Sequence, residues 1–152
     1  MNLNFKGMRL LVCNYAACIR FYRDILGFEL LYQDSNEEEA IQRGLGGFLH
    51  ERLNQEADLK MGDTRLNLIK RQSMAEIIGS SETQSADNAT DNLALILTTQ
   101  DLEATCSELE AKNVNLITKP MYRPQWGIKT VYLRDPDDNL IGIYQMTDYA
   151  NV

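Results

Sequence analysis

The chain has 152 residues, 44% of them hydrophobic and 24% charged, which is enough to bury the core of one ordinary domain. Its formal net charge of −7 argues against nucleic acid or an anionic membrane as the main partner, because phosphate binding requires positive charge. No apolar run approaches the roughly 18 residues of a membrane helix, and the first residues lack the pattern of a signal peptide. We therefore expect a cytoplasmic protein.

The first half of the chain is predicted to start with a strand, a helix and a second strand. Residues 8–12 alternate in the manner of a half-buried strand. Asn14 is a suitable N-cap, and apolar residues then recur at helical spacing until Gly27, which suits the left-handed end of a helix. Residues 28–32 follow as the second strand.

A hairpin is predicted to complete this half. Its strands, 56–61 and 65–70, flank the pair Gly62-Asp63, a strong signal for a tight turn. Residues 74–78 follow as a short helix at the start of a linker that covers 72–91 and is rich in Ser, Thr and Asn.

The second half repeats this order. A strand at 93–97 precedes a helix that Asp101 caps, and Asn113 stands where Gly27 stood. A short strand is then predicted at 114–117. A final hairpin pairs residues 128–134 with 140–145.

The repeat has two different offsets. Asn14 corresponds to Asp101, 87 residues later, whereas Leu59 corresponds to Leu133, 74 residues later. The difference of 13 residues indicates an insertion, for which 34–54 is the only plausible place. Two βαβββ units follow: repeat one at about 7–71 and repeat two at about 92–146.

Two segments carry the motifs of a known superfamily. FYRDILGF at 21–28 resembles "FYrdvLGF", and TVYLRDPDDNLI at 130–141 resembles a closing "DPdGN" hairpin. On these motifs the chain resembles the vicinal oxygen chelate superfamily of glyoxalases, bleomycin-resistance proteins and extradiol dioxygenases. The resemblance covers 7–146 and implies one α+β domain over 1–152. Its two βαβββ repeats would form a curled eight-stranded mixed sheet, a cup with helices on the convex face, usually as a homodimer.

The resemblance also indicates at which positions metal ligands would be expected. Enzymes of the superfamily hold a divalent ion with His, Gln or Glu at four strand positions, which fall here on Gly7, Asn67, Ala94 and Gly142. Three of these lack a side-chain donor, and Asn67 offers only a neutral amide oxygen. Zinc, nickel, manganese and iron sites need imidazole or carboxylate ligands, so we expect no metal and no cofactor at this site.

Strand alternation predicts which residues line the cup, because inward residues share the parity of the four metal positions. We take as ligand-binding candidates Arg9, Arg65, Asn67, Ile96, Thr130, Tyr132, Gly142 and Tyr144, together with Trp126. Arg9 and Arg65 have the planar cationic group that suits a carboxylate or phosphate. Trp126, the only tryptophan, is a candidate for the mouth of the cup or for the dimer seam.

Several polar residues have two interpretations. Glu56 and Asp58 are the catalytic candidates, since a buried carboxylate can act as a base, but they could equally pair with Arg9, Arg65 or Lys60. His50, the only histidine, lies in the insertion and is interpreted as a surface residue, like the acidic run at 37–39.

The cysteines number three: Cys13, Cys18 and Cys106. This odd number without a C-x-x-C pair predicts buried thiols and neither a disulfide framework nor a zinc knuckle.

The small residues at the metal positions predict an empty floor in the cup. Either Tyr132 and Tyr144 lean into the space, or a ligand or water fills it, because a void destabilises a protein. We expect the open pocket, which Gly142→Glu would block without disturbing the fold.

The preferred function is the binding of a small organic molecule in a metal-free cup. The alternatives are a lyase, isomerase or dioxygenase of the same superfamily with an atypical site, and an interaction module without a pocket. The ligand itself does not follow from the sequence.

Overall fold

The computed structural model describes residues 1–33, 56–79 and 93–147. The chain divides into two compact units, Met1–Ser85 and Ala86–Val152. Each unit carries a four-stranded mixed sheet, which confirms the α+β class and the two βαβββ repeats. The insertion at 34–54, with His50 and the acidic run, lies outside the described residues. None of the described helices is long and apolar enough to cross a membrane.

The first unit follows the predicted order of elements. They are β1 (Met8–Val12), α1 (Tyr15–Arg20) continued by a π-helical turn (Phe21–Ile25), β2 (Glu29–Gln33), β3 (Glu56–Met61), β4 (Thr64–Lys70) and α2 (Arg71–Ile78). The sheet order is β1-β4-β3-β2, with β1 parallel to β4 and the other pairs antiparallel.

Both ends of the first helical segment agree with the sequence. Asn14 occupies the N-cap position, although its side chain makes no capping hydrogen bond. Gly27 has a φ of 85°, the left-handed conformation predicted for it.

The apolar core of the first unit lies on one face of its sheet, as the alternation along β1 predicts. Leu10 and Val12 are buried, whereas Arg9 is exposed. Tyr22 packs edge-on against Phe21 and Phe28, with ring centroids 5.4 and 5.5 Å apart. The other buried residues of this face include Cys18, Ile19, Ala57, Leu59, Leu66 and Leu68. Arg9 and its neighbours are therefore left to the opposite face.

The second unit contains β5 (Ala94–Thr98), α3 (Leu102–Ala111), β6 (Met121–Arg123), β7 (Ile128–Arg134) and β8 (Leu140–Met146), in the sheet order β5-β8-β7-β6. Asp101 caps α3 as predicted, its Oδ1 accepting from the Ala104 N–H at 3.0 Å. Asn113 has the expected left-handed conformation, with a φ of 62°.

The prediction of a strand at 114–117 is wrong. Only Leu116 forms a bridge there, to Leu133, and the fourth strand of the sheet is β6. The Thr118 hydroxyl accepts the Tyr132 N–H at 3.1 Å, and Pro120 has no N–H to donate. The ladder is therefore interrupted and resumes at Met121.

The core of the second unit again occupies one face of its sheet, against α3. It comprises Leu95, Leu102, Cys106, Leu109, Val131, Leu133, Ile141 and Ile143, all buried. Alternation sends the residues between them to the other face. Of the three cysteines, Cys18 and Cys106 are buried as expected, but Cys13 is exposed.

Candidate functional site

The first unit carries a hydrogen-bonded network on the face opposite its core. Arg9 donates from Nε to Asn67 Oδ1 at 2.7 Å and from Nη2 to Glu56 Oε2 at 3.2 Å. Asn67 Nδ2 donates to Asp58 Oδ1 at 2.6 Å and to the Ala57 carbonyl at 3.2 Å. We call Arg9, Glu56, Asp58 and Asn67 the Arg9 network.

Strand register assembles this network. Arg9 on β1 lies opposite Asn67 on β4, which lies opposite Asp58 on β3. Of the two carboxylates proposed as a base, Asp58 thus has a partner on the adjacent β4, and Glu56 has one on β1, across β4. Arg65 stands apart near the turn, exposed and in register with Lys60.

A second constellation lies on the non-core face of the other sheet. The Tyr132 and Tyr144 hydroxyls are 2.6 Å apart, and their rings meet edge to face with centroids 6.0 Å apart. Gly142 lies between Tyr132 and Ile96 in the register. We call this surface, with Ile96, Arg123, Tyr132, Gly142 and Tyr144, the tyrosine face.

The space beside Gly142 is filled, which corrects the expectation of an empty floor at this position. A Cβ on Gly142 would lie 2.9 Å from Tyr132 Cε1, 3.0 Å from Tyr144 Cε1 and 3.1 Å from Ile96 Cδ1. The rings lean over the glycine because a void there would forfeit their packing, and one hydrogen bond joins the two hydroxyls. Thr130 is also enclosed, at 2% exposure. Of the candidates on this sheet, Tyr132, Tyr144 and Ile96, which is 48% exposed, remain accessible.

Arg123 is a further candidate residue, one that the sequence analysis does not include. Its Cζ lies 5.9 Å from the ring centroid of Trp126, which is 63% exposed. Its Nη2 has only a weak contact with Met121 Sδ at 4.0 Å. A strand at 121–123 would have been the signal for it. Arg123 on this strand pairs with Ile128, which shares a sheet face with Thr130 and with Tyr144, the partner of Thr130.

The hydrogen bond between the tyrosines changes the acidity of one of them. It is the largest cause that raises the pKa of Tyr144 to about 12, followed by burial and by repulsion from Tyr132. The Arg123 guanidinium acts in the opposite direction. Tyr144 therefore keeps its phenolic proton throughout the neutral range.

This shift predicts an alkaline loss of stability. The pKa of Tyr144 is about 12 in the folded chain against an ordinary value of 10.0, so the stabilisation is complete below pH 10 and is lost as the pH rises towards 12. We expect the urea midpoint of the wild type to fall more steeply over this range than that of Tyr144→Phe, which cannot ionise. Equal slopes for the two proteins would contradict the assignment.

Comparison with known proteins assigns the chain to a family. The family model described as the glyoxalase/bleomycin resistance protein/dioxygenase superfamily matches residues 5–143, which spans both units. The chain belongs to this superfamily. The resemblance of the two sequence motifs is thereby confirmed.

Individual proteins resemble this superfamily member in sequence or in fold. The uncharacterized protein YraH of Bacillus subtilis is 30% identical over 139 residues, covering 91% of this chain and 95% of YraH. A glyoxalase/bleomycin resistance protein/dioxygenase from Nocardioides matches with a TM-score of 0.71 at 14% identity, over 97% of this chain and 86% of its own. TnmS3, an antibiotic-binding protein from Streptomyces sp. CB03234, matches with a TM-score of 0.64 at 22% identity, over 97% and 99%.

The superfamily's metal does not fit the residues that this member offers. Asn67 Oδ1, the one side-chain donor oxygen at the four positions, already accepts from the Arg9 guanidinium at 2.7 Å. A divalent ion would have to displace that bond beside a fixed positive charge. The described residues contain no group of three or more His, Cys, Asp or Glu that could hold an ion instead.

Proposed function

We propose that this superfamily member binds a small organic molecule without a metal. The hydrogen bond from Arg9 to Asn67 carries the proposal. Asn67 Oδ1 is the only side-chain oxygen at the four family positions that could bind a metal, and it already accepts from the Arg9 guanidinium. The likeness to the antibiotic-binding TnmS3 supports binding as the activity of the fold. The candidate contacts are Arg9, Arg65 and Asn67 in the first unit and Ile96, Tyr132, Tyr144 and Trp126 in the second.

The proposal includes the setting in which the protein works. The family model runs through both units, which supports a single functional domain over 1–152. We further propose a cytoplasmic homodimer, because edge strands such as β6 benefit from the cover of a second chain.

Native mass spectrometry of freshly purified protein, with elemental analysis of the same sample, tests these proposals together. We expect the mass of a dimer, an additional organic mass that leaves on denaturation, and divalent metal far below one ion per chain. Incubation with zinc or nickel followed by dialysis should not raise the metal content, because Arg9 faces the only donor at the family positions.

Two outcomes would overturn the proposed function. One stoichiometric ion per chain, lost in Asn67→Ala and retained in Arg65→Gln, would favour a lyase, isomerase or dioxygenase. Arg65→Gln is the control because Arg65 lies outside the Arg9 network. A sample with neither an organic molecule nor a metal would favour an interaction module.

A further inference from the structure

Arg123 has no acidic partner in the part of the chain that the structure describes. Four other cations there have an acidic partner: Arg9 with Glu56, Arg23 with Asp24, Lys112 with Glu108, and Lys129 with Glu103 at 3.6 Å. Arg123 instead lies over the Trp126 ring and is partly buried. An uncompensated guanidinium is notable in a chain whose net charge is −7, since acidic groups are plentiful elsewhere.

The tyrosine pair also has a donor to spare. Each phenol has one O–H, and a single hydrogen bond between two hydroxyls uses only one of the two protons. Residues 1–33, 56–79 and 93–147 supply no acceptor for the other proton. The pair therefore offers one phenolic O–H to a group outside the described protein.

Both features lie on the same side of one sheet. Arg123 is two residues beyond Met121, and Met121 pairs with Thr130, which in turn pairs with Tyr144. Residues two apart on a strand point to the same face. The Arg123 charge also acts to lower the pKa of Tyr144, as expected for a cation on this face.

We propose that Arg123 and the Tyr132–Tyr144 hydroxyl pair bind the carboxylate of an organic anion whose apolar body lies against Trp126 and Ile96. The planar guanidinium can bind a carboxylate with two parallel hydrogen bonds, and the spare phenolic proton supplies a further donor. Trp126 and Ile96 provide exposed apolar surface for the rest of the molecule. This inference rests on the proposed function and names the chemical class of its ligand.

The positive charge of Arg123 is expected to select anionic ligands over neutral and cationic ones. A neutral ligand of the same shape would leave Arg123 without its anion, and a cationic ligand would be repelled by it. A hydrogen bond to a charged group contributes about 1.5–3 kcal/mol, which corresponds to a preference on the order of tenfold or more for the anion.

The experiment compares 2-naphthoate with 2-naphthamide, which share one ring system and differ in charge. Calorimetry measures the two affinities, and the indole N–H resonance of Trp126 reports contact, because the chain has one tryptophan and gives one such signal. We expect naphthoate to bind about ten times more tightly and to shift the indole signal.

Variants locate the effect. Arg123→Gln should reduce naphthoate affinity to the level of naphthamide, and Tyr144→Phe should weaken naphthoate binding severalfold. Lys129→Gln is the matched control, because it removes one positive charge from the opposite face of the neighbouring strand and should leave the preference intact. Thermal unfolding of each variant verifies that the fold is retained.

The proposal is overturned if Arg123→Gln keeps the preference, if the two probes bind equally well, or if neither binds at millimolar concentration. These results separate the two proposals. An organic molecule that copurifies but is neutral or cationic leaves the proposed function standing and removes this inference. The absence of both a copurified molecule and probe binding removes both.

Discussion

Replacing Asp135 by alanine is expected to lower the free energy of unfolding by about 3 kcal/mol. Asp135 is only 4% exposed, and Oδ1 accepts from the backbone N–H groups of Asp137 and Asn139 at 2.8 and 2.9 Å. Oδ2 accepts from Asn139 Nδ2 at 2.8 Å. Alanine would leave these three donors without an acceptor inside the turn that joins β7 to β8. Urea denaturation followed by circular dichroism measures the loss.

The matched control removes a carboxylate from the same turn. Asp138 has a φ of 64°, a conformation that glycine adopts without strain, so Asp138→Gly should be close to neutral. A loss for Asp135→Ala below about 1 kcal/mol, or an equal loss in both variants, would show that the carboxylate does not organise the turn.

Replacing Gly142 by glutamate is expected to destabilise the second unit by about 3 kcal/mol. The sequence alone predicts instead that this substitution blocks an open pocket and leaves the fold undisturbed. The first added carbon would already meet ring atoms of Tyr132 and Tyr144 at 2.9 and 3.0 Å. The rings would have to separate, which breaks the 2.6 Å bond between their hydroxyls. Gly142→Ala should show the steric part alone, about 1–2 kcal/mol.

A double-mutant cycle tests the cause. Ile96→Val deletes Cδ1, the atom 3.1 Å from the site of the new carbon, without changing the tyrosines. Gly142→Ala should therefore cost about 0.5 kcal/mol less in the Ile96→Val background than in the wild type. An unchanged cost would mean that Ile96 does not help to confine Gly142, and a loss below about 0.5 kcal/mol for Gly142→Ala in the wild type would remove the basis of the predicted destabilisation by glutamate.

The alternation of apolar residues predicted most of the fold. It placed Leu10 and Val12 in the core, and it set the strands around Gly62 to within one residue. The failure at 114–117 has a local cause that alternation does not register. There a threonine side chain takes a backbone donor from β7, and a proline follows.

The site was harder to predict than the fold, because parity identifies a face and not a partner. The sequence could place Arg9, Glu56 and Asn67 together, but not decide that Arg9 bonds both of the others. Arg123 was missed because its strand had been placed too early in the chain. The collapse of Tyr132 onto Gly142 depends on side-chain rotation, which a periodic pattern does not specify.

Along β7 and β8, core residues alternate with residues of the opposite face, and this makes the second unit suitable for protein engineering. Val131, Leu133, Ile141 and Ile143 point towards α3, whereas the residues between them belong to the tyrosine face. A combinatorial library at Ile96, Tyr132 and Tyr144 would therefore vary the accessible surface and leave the helix-facing core unaltered. Selection from such a library for new small molecules would begin from a scaffold whose helix-facing core lies on the opposite side of the sheet from the varied positions.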